Sequence, residues 1–276
     1  MSQDATPRRH HRLRSRRADL HSRRWRRKHL SMLSRVRPGH ERMLWAPHRA
    51  SWWISILFAI GSLCFVVAPW RIYLDAVGGR AVGVTFFIGS IFFTSAAFLQ
   101  WLESVNTDYE SNEAAGGSFR AFVWRPRGID WWSSGIQLIG TLFFNVTTFR
   151  GMTVTIDSGT YNHLVWQPDA LGSICFLISG YLAYIEVTGR LLSRPPRTVE
   201  GSIVAINLLG CIAFGISAVT GFVLPKTGVE VSQALTNATT SIGAVCFLIG
   251  ALLLLPEGVK GADQPEAEAT SSESGA

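Results

Sequence analysis

From residue 51 onward long apolar runs alternate with short polar segments, and six of the runs reach membrane length, at 52–74, 81–102, 131–149, 169–191, 202–224 and 235–255. A hydrocarbon core takes about 20 helical residues, and among single segments only an α-helix satisfies its own backbone groups in lipid. The pattern therefore predicts an all-α, polytopic membrane protein with six transmembrane helices. The last run opens with Thr236, Asn237, Thr239, Thr240 and Ser241, so five spans are the fallback. Between the third and fourth runs, Thr153-Val-Thr-Ile156 alternates weakly before Asp157-Ser-Gly159, the pattern of a short hairpin.

A repeat runs through the apolar segments. Each contains Gly, a small residue, an aliphatic residue, any residue, then Phe: Gly61 with Phe65, Gly89 with Phe93, Gly140 with Phe144, Gly172 with Phe176, Gly210 with Phe214 and Gly243 with Phe247. In the even-numbered runs a small residue follows the glycine by seven (Ala96, Ser179, Gly250) and a glutamate by fourteen (Glu103, Glu186, Glu257). Small residues let membrane helices approach closely, and a Phe one turn later fills the neighbouring groove. Trp52-Trp53 and Trp131-Trp132 precede Gly61 and Gly140 by equal intervals. The expectation is three parallel two-helix repeats, related by a pseudo-threefold axis along the membrane normal. They occupy 51–105, 130–191 and 202–257, joined by linkers 106–129 and 192–201.

Charge sets the orientation. Residues 1–50 hold 15 of the 26 Lys and Arg and 3 of the 19 acids; the rest of the chain is net acidic. With the N-terminus inside, the cytoplasmic segments carry that arm plus Arg120, Arg125, Arg127, Arg194, Arg197 and Lys260, against Arg71, Arg80, Arg150 and Lys226 outside. The positive-inside rule then predicts both termini in the cytoplasm. Charged residues make up only 16% of the chain, against about 25% in soluble domains, which excludes a soluble globule. The arm, with Arg23-Arg24-Trp25-Arg26-Arg27-Lys28, is read as a largely disordered segment that contacts anionic lipid headgroups. No nucleic-acid recognition fold accompanies it. The tail, 258–276, is acidic and expected to be disordered.

The Gly-Ser-x-x-Phe core followed by a glutamate resembles the YrhK-like domain of small bacterial membrane proteins. The segments Asp130-Trp-Trp, Leu138-Ile-Gly-Thr-Leu-Phe-Phe-Asn145 and Leu164-Val-Trp-Gln-Pro-Asp-Ala-Leu-Gly-Ser-Ile-Cys-Phe176 are similar to uncharacterised six-helix actinobacterial membrane proteins. The resemblance covers residues 45–258 and implies a multi-pass protein of a bacterial cytoplasmic membrane, with no activity attached.

Candidate chemistry is sparse. Glu103, Glu186 and Glu257 end their helices where the macrodipole disfavours a carboxylate, so each is expected to have a partner. That partner is an inner arginine, headgroup water, or a cation in a shared interior ring. Gln137 and Asn207 stand three residues before their repeat glycines; Asn145 and Gln100 are further uncharged candidates. No ionisable residue falls in the central half of a predicted span, which disfavours a coupled transporter. His163 reads as a surface histidine, and Cys64, Cys175, Cys211 and Cys246 as packing residues without disulfide or zinc spacing. No catalytic motif and no cofactor site is found. The first functional reading is a structural or partner-binding membrane protein, alone or as a homo-oligomer, that performs no catalysis. The alternative is a small channel or permease with a pseudo-threefold path, using Glu103, Glu186 and Glu257 supported by Gln137 and Asn207.

Overall fold

Pro69 sets the first break in the chain. It has no N–H and it drives the preceding residue out of the helical region, so the apolar run expected as one span at 52–74 is two helices, α1 (Ala50–Val67) and α2 (Arg71–Val77). The computed structural model describes residues 50–106, 124, 128–153, 157–189 and 194–260, with backbone alone for 256–260. Nearly all of the basic arm, Arg120, Arg125, Arg127, Arg190 and the tail beyond Lys260 lie outside the described residues. So does the side chain of Glu257.

The described residues are helical with no strand. The remaining elements are α3 (Gly79–Val105), α4 (Ile129–Gly151), α5 (Ser158–Tyr161), a π-helical turn (Asn162–Trp166), α6 (Gln167–Thr188), α7 (Val199–Thr220) and α8 (Gln233–Lys260). Gly189, at φ 68°, ends α6 in the left-handed conformation that glycine adopts without a Cβ clash, three residues before the run expected to reach 191. Thr198 caps α7, its hydroxyl accepting from the Gly201 N–H at 3.1 Å. The last run, read as 235–255, continues through Pro256, and α8 reaches Lys260.

Five helical stretches are long and apolar enough to cross a membrane: Ala50–Val67, Gly79–Val105, Ser158–Thr188, Val199–Thr220 and Gln233–Leu255. These five are compatible with a multi-pass integral membrane protein. The shortfall from six falls on the third predicted span, not on the sixth. Helix α4 has 23 residues, enough length, but Asp130, Gln137, Asn145 and Arg150 dilute its apolar character.

The six long helices close into a ring. α1 packs on α3, α3 on α4, α4 on α6, α6 on α7, α7 on α8, and α8 returns to α1. Ser51, Glu103, Asp130, Glu186 and Leu254 meet at one end of the bundle, while Gly79, Gly151, Tyr161, Gly221 and Thr236 meet at the other. Consecutive long helices therefore run antiparallel. Large apolar side chains such as Leu63, Ile139, Leu209, Val219 and Ile242 point away from the bundle and are half or more exposed. The interior is built from small residues and phenylalanines.

Three helix pairs share one contact. A Cβ on Gly61 would stand 2.8 Å from the Phe93 ring, and one on Gly89 2.8 Å from Cys64 and 3.0 Å from the Phe65 ring. Gly140 meets Phe176 at 2.8 Å while Gly172 meets Phe144 at 3.3 Å; Gly210 meets Phe247 at 3.1 Å while Gly243 meets Phe214 at 3.0 Å. Each glycine is thus the seat of the partner helix's phenylalanine. The residues after the glycines, Ser62, Ser90, Thr141, Ser173, Cys211 and Ala244, are at most 3% exposed.

Candidate functional site

Because each glycine admits a ring, six phenylalanines converge on the centre of the bundle. Phe93, Phe176 and Phe247 form a closed triangle, with centroids 6.5, 5.8 and 5.8 Å apart. Phe214 lies 6.1 Å from Phe65 and 6.0 Å from Phe144 in an adjoining layer. The layers interlock through edge-on pairs, Phe65–Phe93 at 5.6 Å and Phe144–Phe176 at 5.0 Å, the geometry that the ring quadrupole prefers. Cavities lie on both sides of these layers.

On the Asp130 side, a cavity of about 130 Å³ touches Phe176 and Phe247 and is lined by Gln100, Gln137 and Asn207. The Ser179 hydroxyl donates to Gln137 Oε1 at 3.3 Å. Gln100 Oε1 and Asn207 Oδ1 are buried with no hydrogen-bond partner among the described residues. Asn207 is held there by a missing side chain, since a Cβ on Gly250 would collide with its Oδ1. A buried carbonyl oxygen without a donor is costly, so these amides call for water or a ligand in the cavity.

Ile54, Gln100, Ala183 and Leu254 are shared with a further cavity of about 120 Å³ at the end of the bundle, which Glu103, Glu186 and Asp130 also line. Two of the three glutamates singled out by heptad spacing therefore share one space. None of the three carboxylates is free, each having a polar interaction within the chain. Ser134, beside them, donates to Ser104 Oγ at 2.8 Å. Among the described residues no group of three His, Cys, Asp or Glu could hold a metal ion. The four cysteines are free thiols.

The opposite side holds the larger cavity, about 320 Å³, whose floor is Phe65, Phe144 and Phe214. Its architecture depends on Pro168. Lacking an N–H, this residue cannot bond the carbonyl four residues earlier, and its ring crowds it. The helix relaxes into the π-helical turn Asn162–Trp166, and outside donors take up the freed carbonyls: Arg150 Nη1 donates to Leu164 O at 3.2 Å, and the Thr147 hydroxyl donates to Val165 O. Insertions of this kind recur at functional sites. The turn sends Asn162 outward, where its Nδ2 donates to Val223 O at 2.6 Å and its Oδ1 accepts from Val223 N at 3.0 Å. That clamp docks the loop 221–232, in which Val223 pairs with Glu230. The Trp166 indole donates to Ala218 O at 2.7 Å.

Three residues of this cavity had no functional reading in the sequence. Tyr161, Asp169 and Glu230 all line it, and Tyr161 lies within electrostatic range of both carboxylates. Asp169 was placed at the edge of a span. The hairpin expected around Asp157-Ser-Gly159 is instead a helix start: Asp157 Oδ1 accepts from Gly159 N at 2.9 Å and Thr160 N at 3.1 Å. Residues 154–156 lie outside the described residues. The Thr160 hydroxyl, which donates to Asp157 Oδ2 at 2.6 Å, and after it these backbone N–H groups hold the Asp157 carboxyl below its usual value. The helical stretch thereby gains eleven residues before Asp169, which falls in the central half of Ser158–Thr188. The expectation that no ionisable group occupies a central segment is corrected. His163 is exposed and bonds Gln167 Oε1 at 2.8 Å.

Fold and site together describe a helical ring, compatible with a multi-pass membrane protein, with cavities on both sides of a phenylalanine core. No protein-family model, curated protein or solved structure matches the chain.

Proposed function

We propose that six helices, α4 included, cross a bacterial cytoplasmic membrane as three two-helix units around a pseudo-threefold axis, and that a small solute passes along this axis through a phenylalanine gate. Catalysis plays no part in this reading, the basic arm rests on anionic lipid, and the Asp130 end faces the cytoplasm. The kinship to YrhK-like proteins belongs to the same proposal.

One observation carries it. Residues at equal offsets from the six glycines line the same cavities. Phe58, Gln137 and Asn207, each three before its glycine, share the smaller cavity with Gln100, Ala183 and Leu254, each eleven after theirs. Val82, Val165 and Thr236, with Phe86, Asp169 and Thr240, share the larger one in the same way. Cavities so lined lie on the axis relating the units, and only the phenylalanine layers divide them. Hydrophobic constrictions of this kind gate by excluding water. A structural or partner-binding role, the first reading from sequence, gives no reason for unpartnered amides facing internal space.

Phe176→Ala in proteoliposomes should raise thallium influx into vesicles holding a quenchable dye at least tenfold over wild type. Phe98→Ala, at a side chain 47% exposed on the bundle exterior, should not. Equal influx through the two variants, both monodisperse, rejects the axial path.

A further inference from the structure

The larger cavity combines features that no packing role requires. Asp169 is partly buried and lines this cavity. It forms no hydrogen bond or ion pair with any described residue. Glu230 Oε2 is likewise buried and unpartnered among the described residues. Arg150, on the adjoining helix end, is taken up by Leu164 O and pairs with neither carboxylate. Two carboxylates thus face one cavity that no basic side chain lines. Desolvated carboxylates are costly unless a cation meets them.

The rest of the lining states which cation. Phe65, Phe144 and Phe214 form the floor, and Phe86, Tyr161 and Trp166 contribute further rings. Aromatic faces attract cations and enclose alkylated ammonium groups well. A small inorganic ion needs a close shell of oxygen ligands, whereas this cavity is wide, about 320 Å³, within the size range of small-molecule sites, roughly 300–1,000 Å³. No group of three metal-ligating side chains occurs among the described residues. We propose that the cavity binds an organic ammonium cation, its charge facing Asp169 and Glu230 and its alkyl groups enclosed by the aromatic rings. Binding stands on the cavity itself; only the cation's role as the transported solute rests on the axial path proposed above.

The test is a titration of the full chain in detergent, followed by tryptophan fluorescence, with Trp166 as the reporter inside the site. Choline and tetramethylammonium are the probes; 3,3-dimethyl-1-butanol is the neutral counterpart of choline, and sodium is the inorganic control. A saturable change with choline or tetramethylammonium is expected, with no saturation by the alcohol or sodium. Asp169→Asn, nearly isosteric, should weaken binding at least tenfold, and Glu230→Gln, in the loop, severalfold. The proposal is overturned by absence of saturation with both ammonium probes, by equal response to choline and the alcohol, by tighter binding of sodium, or by unchanged affinity in both variants. Saturable binding without choline uptake by proteoliposomes of the Phe176→Ala variant would refute the axial path while leaving the site intact.

Discussion

Gly140→Ala isolates the contact on which the bundle interior depends. The new Cβ would stand 2.8 Å from Phe176 Cδ1, 2.9 Å from Cys175 Cβ and 3.0 Å from Phe176 Cε1, all closer than van der Waals contact. The ring cannot swing aside. Phe176 is 2% exposed and touches Phe93, Phe144, Phe214 and Phe247, so relief requires α4 and α6 to separate. Overpacking of this order costs about 1–3 kcal/mol, while alanine in a helix interior returns about 0.5–1 kcal/mol. The net expectation is a loss of up to about 2.5 kcal/mol, read as a melting temperature lower by several degrees in detergent. Gly151→Ala is the control on the same helix, because nothing lies within 4 Å of its Cβ; its melting temperature should be unchanged or slightly higher. Gly210→Ala should fall between, since its nearest contacts are all at 3.1 Å. If Gly140→Ala melts at or above wild type, the glycines do not seat the phenylalanines and the account of the core fails.

Three further outcomes follow from the larger cavity and its walls. Asn162→Ala removes both hydrogen bonds to Val223, about 1–3 kcal/mol of local stability, and amide exchange should accelerate across 222–231 with little change in α4. Gly228→Ala forces a side chain to φ 69° at a cost of about 1–2 kcal/mol, and should loosen the same loop in the same assay. Burial raises the carboxyl of Glu230, so the folded state binds its proton more tightly than the unfolded chain does. That contribution is present below the unfolded value and is lost as pH rises through the folded one. Without a bound cation, Glu230→Gln should therefore melt above wild type at pH 7.5, and the gap should close near pH 4; a gap constant with pH would place Glu230 in water.

Much of the architecture was legible because membrane helices leave coarse marks. Apolar runs of membrane length located every long helix, and the glycine-to-phenylalanine interval pointed to side chains that meet in the bundle. Helix ends were harder to read. Nothing in an apolar run at 52–74 distinguishes one helix from two except Pro69, and prolines also occur inside helices, as Pro256 does in α8. Polar residues drew doubt to the sixth run, whereas it is the third that falls short of membrane-helix composition. α4 carries Gln137 and Asn145 because both face the interior, where the Asn145 amide donates to Thr94 Oγ1 at 2.9 Å.

The carboxylates show why a candidate site is less legible than a fold. Glu103 and Glu186 stood out because they recur at heptad spacing, yet both prove to be engaged carboxylates lining one cavity at the bundle end. The positions equivalent to Asp169 hold Phe86 and Thr240, so its charge breaks the repeat rather than following it. Glu230 belongs to no repeat at all, and its place beside the cavity follows from Asn162 clamping a loop sixty-one residues distant. Signals that could have found them exist but are local: Trp-Gln-Pro-Asp at 166–169 sets a helix-disturbing proline next to an acid in an otherwise apolar run. If, as proposed, a repeat builds the ring and its axis, departures from it are where a ligand would be told apart from lipid.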